Sequence, residues 1–137
     1  MNESTRYLQL AGRILIGIIF LSGGVGKAMS FSATTAYIAQ AGLPFPSLAW
    51  IAAVLFEGVT GSLFLIGYQI RITSIALAIY CVITAFLFHA NLANPLQFAN
   101  FVKNFLILAG LLSFAHHGAG FFSVEERLQR KTNSVSA

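Results

Sequence analysis

The sequence predicts an all-α integral membrane protein, an antiparallel bundle of four transmembrane helices forming a single domain over residues 1–137. Two observations carry the prediction. The first is composition: 57% of residues are hydrophobic and 9% charged, 8 Lys/Arg against 4 Asp/Glu, whereas a soluble domain carries roughly 25% charged residues. The second is segmentation, because polar interruptions divide the chain into four apolar stretches, each close to the ~20 residues that cross a hydrocarbon core as a helix. None of them alternates apolar and polar residues as the strands of a membrane barrel do. A soluble enzyme, a disordered tail and a disulfide scaffold are excluded by the same arithmetic.

The first span covers residues 7–29. Arg6 and Arg13 followed by the apolar core 14–21 resemble a signal peptide. No small-x-small cleavage site follows, and Lys27 stands where one would lie, so the segment is expected to stay in the membrane. At 100° per residue Arg13, Gly17, Phe20, Gly24 and Lys27 share one face. The phosphate-loop look of Gly24 to Lys27 fails, since Leu21 replaces the required first glycine and Ala28 the hydroxyl residue.

Residues 30–46 form the first connection, in which Gly42, Leu43, Pro44, Phe45 and Pro46 should halt a helix and hold an extended turn. The second span, 47–68, contains Glu57 ten residues past Ser47, about 15 Å deep at ~1.5 Å per residue and near the midplane. Ala53 and Gly61 flank it on its face. Spans two and three are separated only by residues 67–71, which requires a tight hairpin.

The third span, 70–92, holds the single cysteine, Cys81, a small buried side chain by expectation, and His89 near its far end. Asn91, Asn94 and Pro95 mark the next connection. In the fourth span, 98–116, Lys103 shares a face with Ile107, Gly110 and Phe114, and Asn104 follows it. His116 and His117 project about 100° apart, poor geometry for a shared metal and better suited to the interface at a helix C-terminus. No metal site is expected. Thirteen Phe residues are explained chiefly by lipid-facing packing. Residues 121–137 change abruptly to an exposed polar tail.

Basic residues orient the bundle. Arg6, Arg71, Arg127, Arg130 and Lys131, with Arg13 near them, gather on one side and only Lys27 and Lys103 on the other. The positive-inside rule puts both termini in the cytoplasm. The scattered basic residues do not form a nucleic-acid footprint.

Ionisable groups within a bilayer are costly and are functional candidates by default. Glu57 must keep its proton or meet a cation or several donors. Arg13, about 9 Å from the cytoplasmic face, is the expected structural ion-pair partner, with Lys103, about 7 Å from the outer face, also within reach. Lys27 either snorkels outward or joins the outer polar group. Glu57, His89, Lys27, Lys103 and Asn104 can line a polar pocket opening outward. Two readings stay open: a lock that fixes helix register, or a ligand site in which Glu57 and His89 handle protons while Lys103 and Asn104 hold a polar head group.

Taken in order, these residues resemble the DoxX family of small bacterial membrane proteins. The resemblance rests on Arg13, Gly17 and Phe20 leading into Ser22, Gly23 and Lys27; Tyr37 before Gly42, Leu43 and Pro44; Phe56, Glu57 and Gly58, then Gly61 and the Gly67/Arg71 turn; the run from Thr84 to His89; Phe101, Lys103, Asn104 and Gly110; and Gly118, Gly120 and Ser123 before the charged tail. It is similar in particular to the short, stand-alone enterobacterial members. It implies a four-helix protein of the bacterial inner membrane. Because relatives include a quinone-linked thiosulfate oxidoreductase subunit and a membrane partner in a thiol and superoxide stress complex, it implies redox work near quinones or thiols. The chain shows no cofactor motif of its own; quinone is the cofactor the resemblance suggests. The expectation is therefore a component of a redox or stress-response system that binds a quinone or small hydrophobic ligand, with a membrane redox partner or a second copy as associate. The alternatives are a non-catalytic scaffold subunit of a membrane complex and a small transporter acting as a dimer.

Overall fold

The computed structural model describes residues 3–135 and is helical with no strand among them. The elements are α1 (Glu3–Met29), α2 (Phe31–Gln40), α3 (Pro46–Ile66), α4 (Ile70–Phe88), α5 (Pro95–His117) and α6 (Val124–Val135). The four helices long and apolar enough to span a membrane are α1, α3, α4 and α5, in the order expected.

Local chemistry sets where each begins and ends. Pro95 occupies the first turn of α5, and the side chain of Asn94 accepts from the backbone N–H of Leu96 at 3.0 Å and of Gln97 at 3.2 Å. This cap starts the helix three residues before the apolar run does. Pro46 starts α3 in the same way, after a left-handed Phe45 at φ 54°. α3 ends in a Schellman turn, with Tyr68 N–H on Leu63 O at 2.9 Å and Gly67 N–H on Phe64 O at 3.1 Å. Gly67 sits at φ 71°, and a Cβ there would lie 2.6 Å from Arg13 Nη1 and from Ser123 Cβ, so both conformation and space demand glycine.

Two sequence expectations change. The first connection is not simply an extended turn: ten of its residues form α2, which packs on α3 and buries Ile38. The C-terminal segment is exposed from residue 127 to 134, as expected, but its start is tied to the bundle: Ser123 is buried, Ser123 Oγ caps α6 by accepting from Glu126 N–H at 3.2 Å, and Glu125 Oε2 accepts from Ile70 N–H at 3.0 Å, capping α4 from the other end of the chain. These residues answer backbone groups that lipid cannot.

α1 lies along α3 and α4 along α5, with fewer contacts between the two pairs. Lipid tails are as apolar as leucine, so close packing and polar bonds rather than hydrophobic transfer hold such helices together. At Gly17 a Cβ would come within 2.9 Å of Leu65 Cβ, which lets α1 and α3 touch through their backbones. The core of Phe64, Ile70, Leu77 and Leu111, each fully buried, fills the half of the bundle next to the Gly67 turn. Large apolar side chains such as Leu15, Leu55 and Leu106 are exposed and face outward.

Arg13 closes that half. Its side chain is 2% exposed; Nε donates to Leu65 O at 3.1 Å, Nη1 to Ala119 O at 2.6 Å, and Nη2 to Phe122 O. One guanidinium thus joins α1, the end of α3 and the segment after α5. Arg13→Gln is expected to lower stability by about 2–4 kcal/mol, because buried carbonyls lose their donors. Arg13→Lys should recover only part of it, since an ammonium does not reproduce the planar fork. Thermal unfolding of the detergent-solubilised variants measures both.

Candidate functional site

Above the sealed core, the other half of the bundle contains a cleft of about 610 Å³. Its walls are apolar and come from α1, α2, α3, α4 and α5, with Phe20, Ile38, Phe56, Ile83 and Ile107 among them. Five residues singled out in the sequence, Lys27, Glu57, His89, Lys103 and Asn104, line this one space.

Glu57 lies on its floor, 4% exposed. Lys27 Nζ donates to both carboxylate oxygens, at 2.9 Å to Oε1 and 2.8 Å to Oε2, and Tyr80 OH donates to Oε1 at 2.5 Å. The pairing of Arg13 with Glu57 is therefore corrected: the cation is Lys27. The reason is axial distance. Arg13 and Lys27 are 14 residues apart on α1, about 21 Å at ~1.5 Å per residue, and Arg13 is level with Leu65, at the opposite end of α3 from the cleft. Lys27 also does not snorkel. Its backbone carbonyl accepts from Trp50 Nε1–H at 2.7 Å, which fixes this end of α1 above Glu57, and its side chain runs inward to the carboxylate. Without this pairing Glu57 would have to keep its proton or stand as an unpaired charge in a low-dielectric interior.

Tyr80 was not singled out in the sequence. The available signal was depth. Glu57 stands eleven residues into α3 and Tyr80 ten into α4; in an antiparallel hairpin both reach the midplane. The Tyr80 ring packs on Phe56 with centroids 4.9 Å apart, and its carbonyl accepts from Thr84 Oγ1 at 2.8 Å. The Lys27–Glu57–Tyr80 cluster thus joins α1, α3 and α4.

His89, Lys103 and Asn104 line the cleft where α4 ends and along the first half of α5. His89 is the C-cap of α4, and its Nδ1 is enclosed without a hydrogen-bond partner among the described residues. Lys103 is exposed and donates to Asn100 Oδ1 at 2.9 Å; Asn104 is half-buried. α2 covers this end: Tyr37 stacks on Phe88 with centroids 5.5 Å apart and donates its hydroxyl to Phe88 O at 3.1 Å, while Phe31 meets Trp50 edge-on at 4.8 Å. Cys81 is 2% exposed and also borders the cleft. His116 and His117 lie at the far end of α5, where His117 Nδ1 is 2.9 Å from Ser113 O.

The arrangement supplies a neutralised carboxylate on the floor, apolar walls, and N–H donors at the mouth. It suits a ligand with a lipophilic body and a hydrogen-bond-accepting head, and the volume falls within the roughly 300–1,000 Å³ typical of small-molecule sites.

The family model described as DoxX matches residues 8–90, the segment from α1 through α4 that contains Lys27, Glu57, Tyr80 and His89. Inner membrane protein YqjF of Escherichia coli (strain K12) is 34% identical over 122 residues, covering 89% of this chain and 92% of that protein. Inner membrane protein YphA of the same organism is 32% identical over 126 residues, covering 88% and 89%. No solved structure matches the chain.

Lys27→Met should destabilise the bundle by about 3 kcal/mol, the low end for a broken buried pair, because the Lys27 side chain retains 33% exposure. Adding Glu57→Gln should restore much of the loss. Thermal unfolding of the two single variants and the double variant gives the coupling; strict additivity would show that the pair is not an energetic unit.

Proposed function

The chain belongs to the DoxX family of inner-membrane proteins, and from that premise we propose that it binds a quinone or similar head-and-tail lipophile in the cleft, as a component of a membrane redox or stress-response system with both termini in the cytoplasm. The cleft over the Lys27–Glu57–Tyr80 floor carries the reading. Lys103, Asn104 and His89 present donors to the carbonyl oxygens of the head group, and no carboxylate stands beside them at the mouth to repel it. Phe20, Ile38, Phe56 and Ile107 exclude water from its body. A quinone supplies reversible electron and proton chemistry when bound. The chain holds a proton on the Tyr80 hydroxyl against Glu57, and Lys27 stabilises the carboxylate. His89, which lines the same cleft, is the second proton-handling group beside Glu57.

A second reading, a non-catalytic scaffold subunit, draws support from the same cluster, since a bond network across three helices fixes register whatever occupies the cleft.

A short-tailed ubiquinone analogue at 100 times its dissociation constant should stabilise the purified protein by about 2.7 kcal/mol. Glu57→Gln and His89→Ala should reduce that gain at equal ligand concentration. An unchanged gain in both variants would make the site assignment wrong. No stabilisation of the unsubstituted protein, together with stoichiometric recovery of a partner in gentle-detergent pull-down, would favour the scaffold.

A further inference from the structure

Between Glu57 and α2 the walls of the cleft differ in chemistry. Lys27, Lys103 and Asn104 stand on α1 and α5, whereas α3 and α4 contribute Ala49, Ala52, Ile83 and Leu87. Thr84 shares the second wall but directs its hydroxyl proton to Tyr80 O at 2.8 Å. One side of the cleft therefore offers charge and hydrogen bonds, and the other offers hydrocarbon.

The apolar wall is also incomplete. Ile83 is 50% exposed and Leu87 46%, yet both border the cleft, and Ala52 is exposed and borders it too. Side chains that face a cavity and the bilayer at once mark a lateral window. α3 packs far less closely on α4 than on α1, and the short side chains of Ala49 and Ala52 do not fill the gap. Aromatic pairs bound it. Phe56 and Tyr80, with centroids 4.9 Å apart, form the sill above Glu57, and Tyr37 on Phe88, at 5.5 Å, closes the opening beneath α2.

Depth decides what can occupy the window. Ala52 is six residues past the start of α3 and Ile83 five before the end of α4, about 8 Å inside at ~1.5 Å per residue. In a hydrocarbon core ~30 Å thick that level faces acyl chains. A polar group passing there would have no water to bond. A hydrocarbon chain meets no such penalty, since lipid tails are as apolar as the isoleucine and leucine that edge the opening.

We infer that the ligand lies across the bundle, its head toward Lys103 and Asn104 and its chain passing between α3 and α4 into the bilayer. Its natural occupant is then a membrane-dissolved lipophile with a chain longer than the cleft, loaded sideways from the leaflet. This rests on the reading of the cleft as a site for a head-and-tail lipophile, and adds the route and the chain.

A ubiquinone analogue with a diazirine midway along a decyl chain, photolysed with the full chain in phosphatidylcholine nanodiscs and mapped by peptide mass spectrometry, tests it. Labelling that a short-tailed ubiquinone analogue competes away should concentrate on α3 and α4 beside Ala52, Ile83 and Leu87. Ala52→Trp with Ile83→Trp should lower that labelling about tenfold, the scale of an overpacking clash, while the short-tailed analogue still stabilises the variant against heat. Leu55→Trp, on the lipid-facing side of α3, should leave the labelling unchanged. Competed labelling that falls instead on α1 or α5 of the unsubstituted protein overturns the window and leaves the cleft reading standing. So does labelling indifferent to the two tryptophans. Labelling that the short-tailed analogue does not compete denies the head its place in the cleft and overturns both.

Discussion

Charge that enters a bilayer with this chain must be answered inside the bundle, and the answers fix how α1 sits against α3. Arg13 is met by backbone carbonyls and Lys27 by a carboxylate, and both partners involve α3. A slip of one residue would displace both contacts by ~1.5 Å along the axis and by 100° around it. Lipid offers little penalty for such a slip, because one leucine-rich face is as well solvated as another. The two cations therefore supply the registry that a water-exposed bundle obtains from its apolar stripe. Tyr80 extends the constraint to α4.

The halves of the bundle divide their tasks accordingly. Next to the Gly67 turn, packing is tight and polar groups are turned onto backbone. Beyond Glu57 the two helix pairs leave a space under α2. A rigid half and an open half in one short bundle suit a binding protein, because the closed end holds the helices at fixed spacing while the other end keeps its volume. Closing the cleft would require moving a helix pair that is fastened at its opposite end.

Much of this was legible in order and depth. Glu57 at the midplane, and the gathering of Lys27, His89, Lys103 and Asn104 in one half, follow from residue counts along helices of known rise. The partner of Glu57 did not, because depth alone left Arg13 and Lys103 both within nominal reach, and a lysine near a helix end ordinarily extends toward water. What decides it is the axial register of α1 on α3, which sets Arg13 beside Leu65 and Lys27 beside Glu57. The acceptors of Arg13 were invisible for another reason: Leu65, Ala119 and Phe122 act through their carbonyls, which every residue has. Tyr80 was hidden by its apolar neighbours, and α2 by the glycine and prolines that follow it and suggest an extended connection throughout.

The Arg13 bonds span the chain. Two of its three acceptors lie 106 and 109 residues downstream. During synthesis the first helix therefore enters the membrane with a charged group that its own neighbours can only partly satisfy. Its final partners emerge after every other span has been made. A chain that stops before residue 119, or whose last span threads the wrong way, therefore leaves the Arg13 guanidinium without two of its three acceptors.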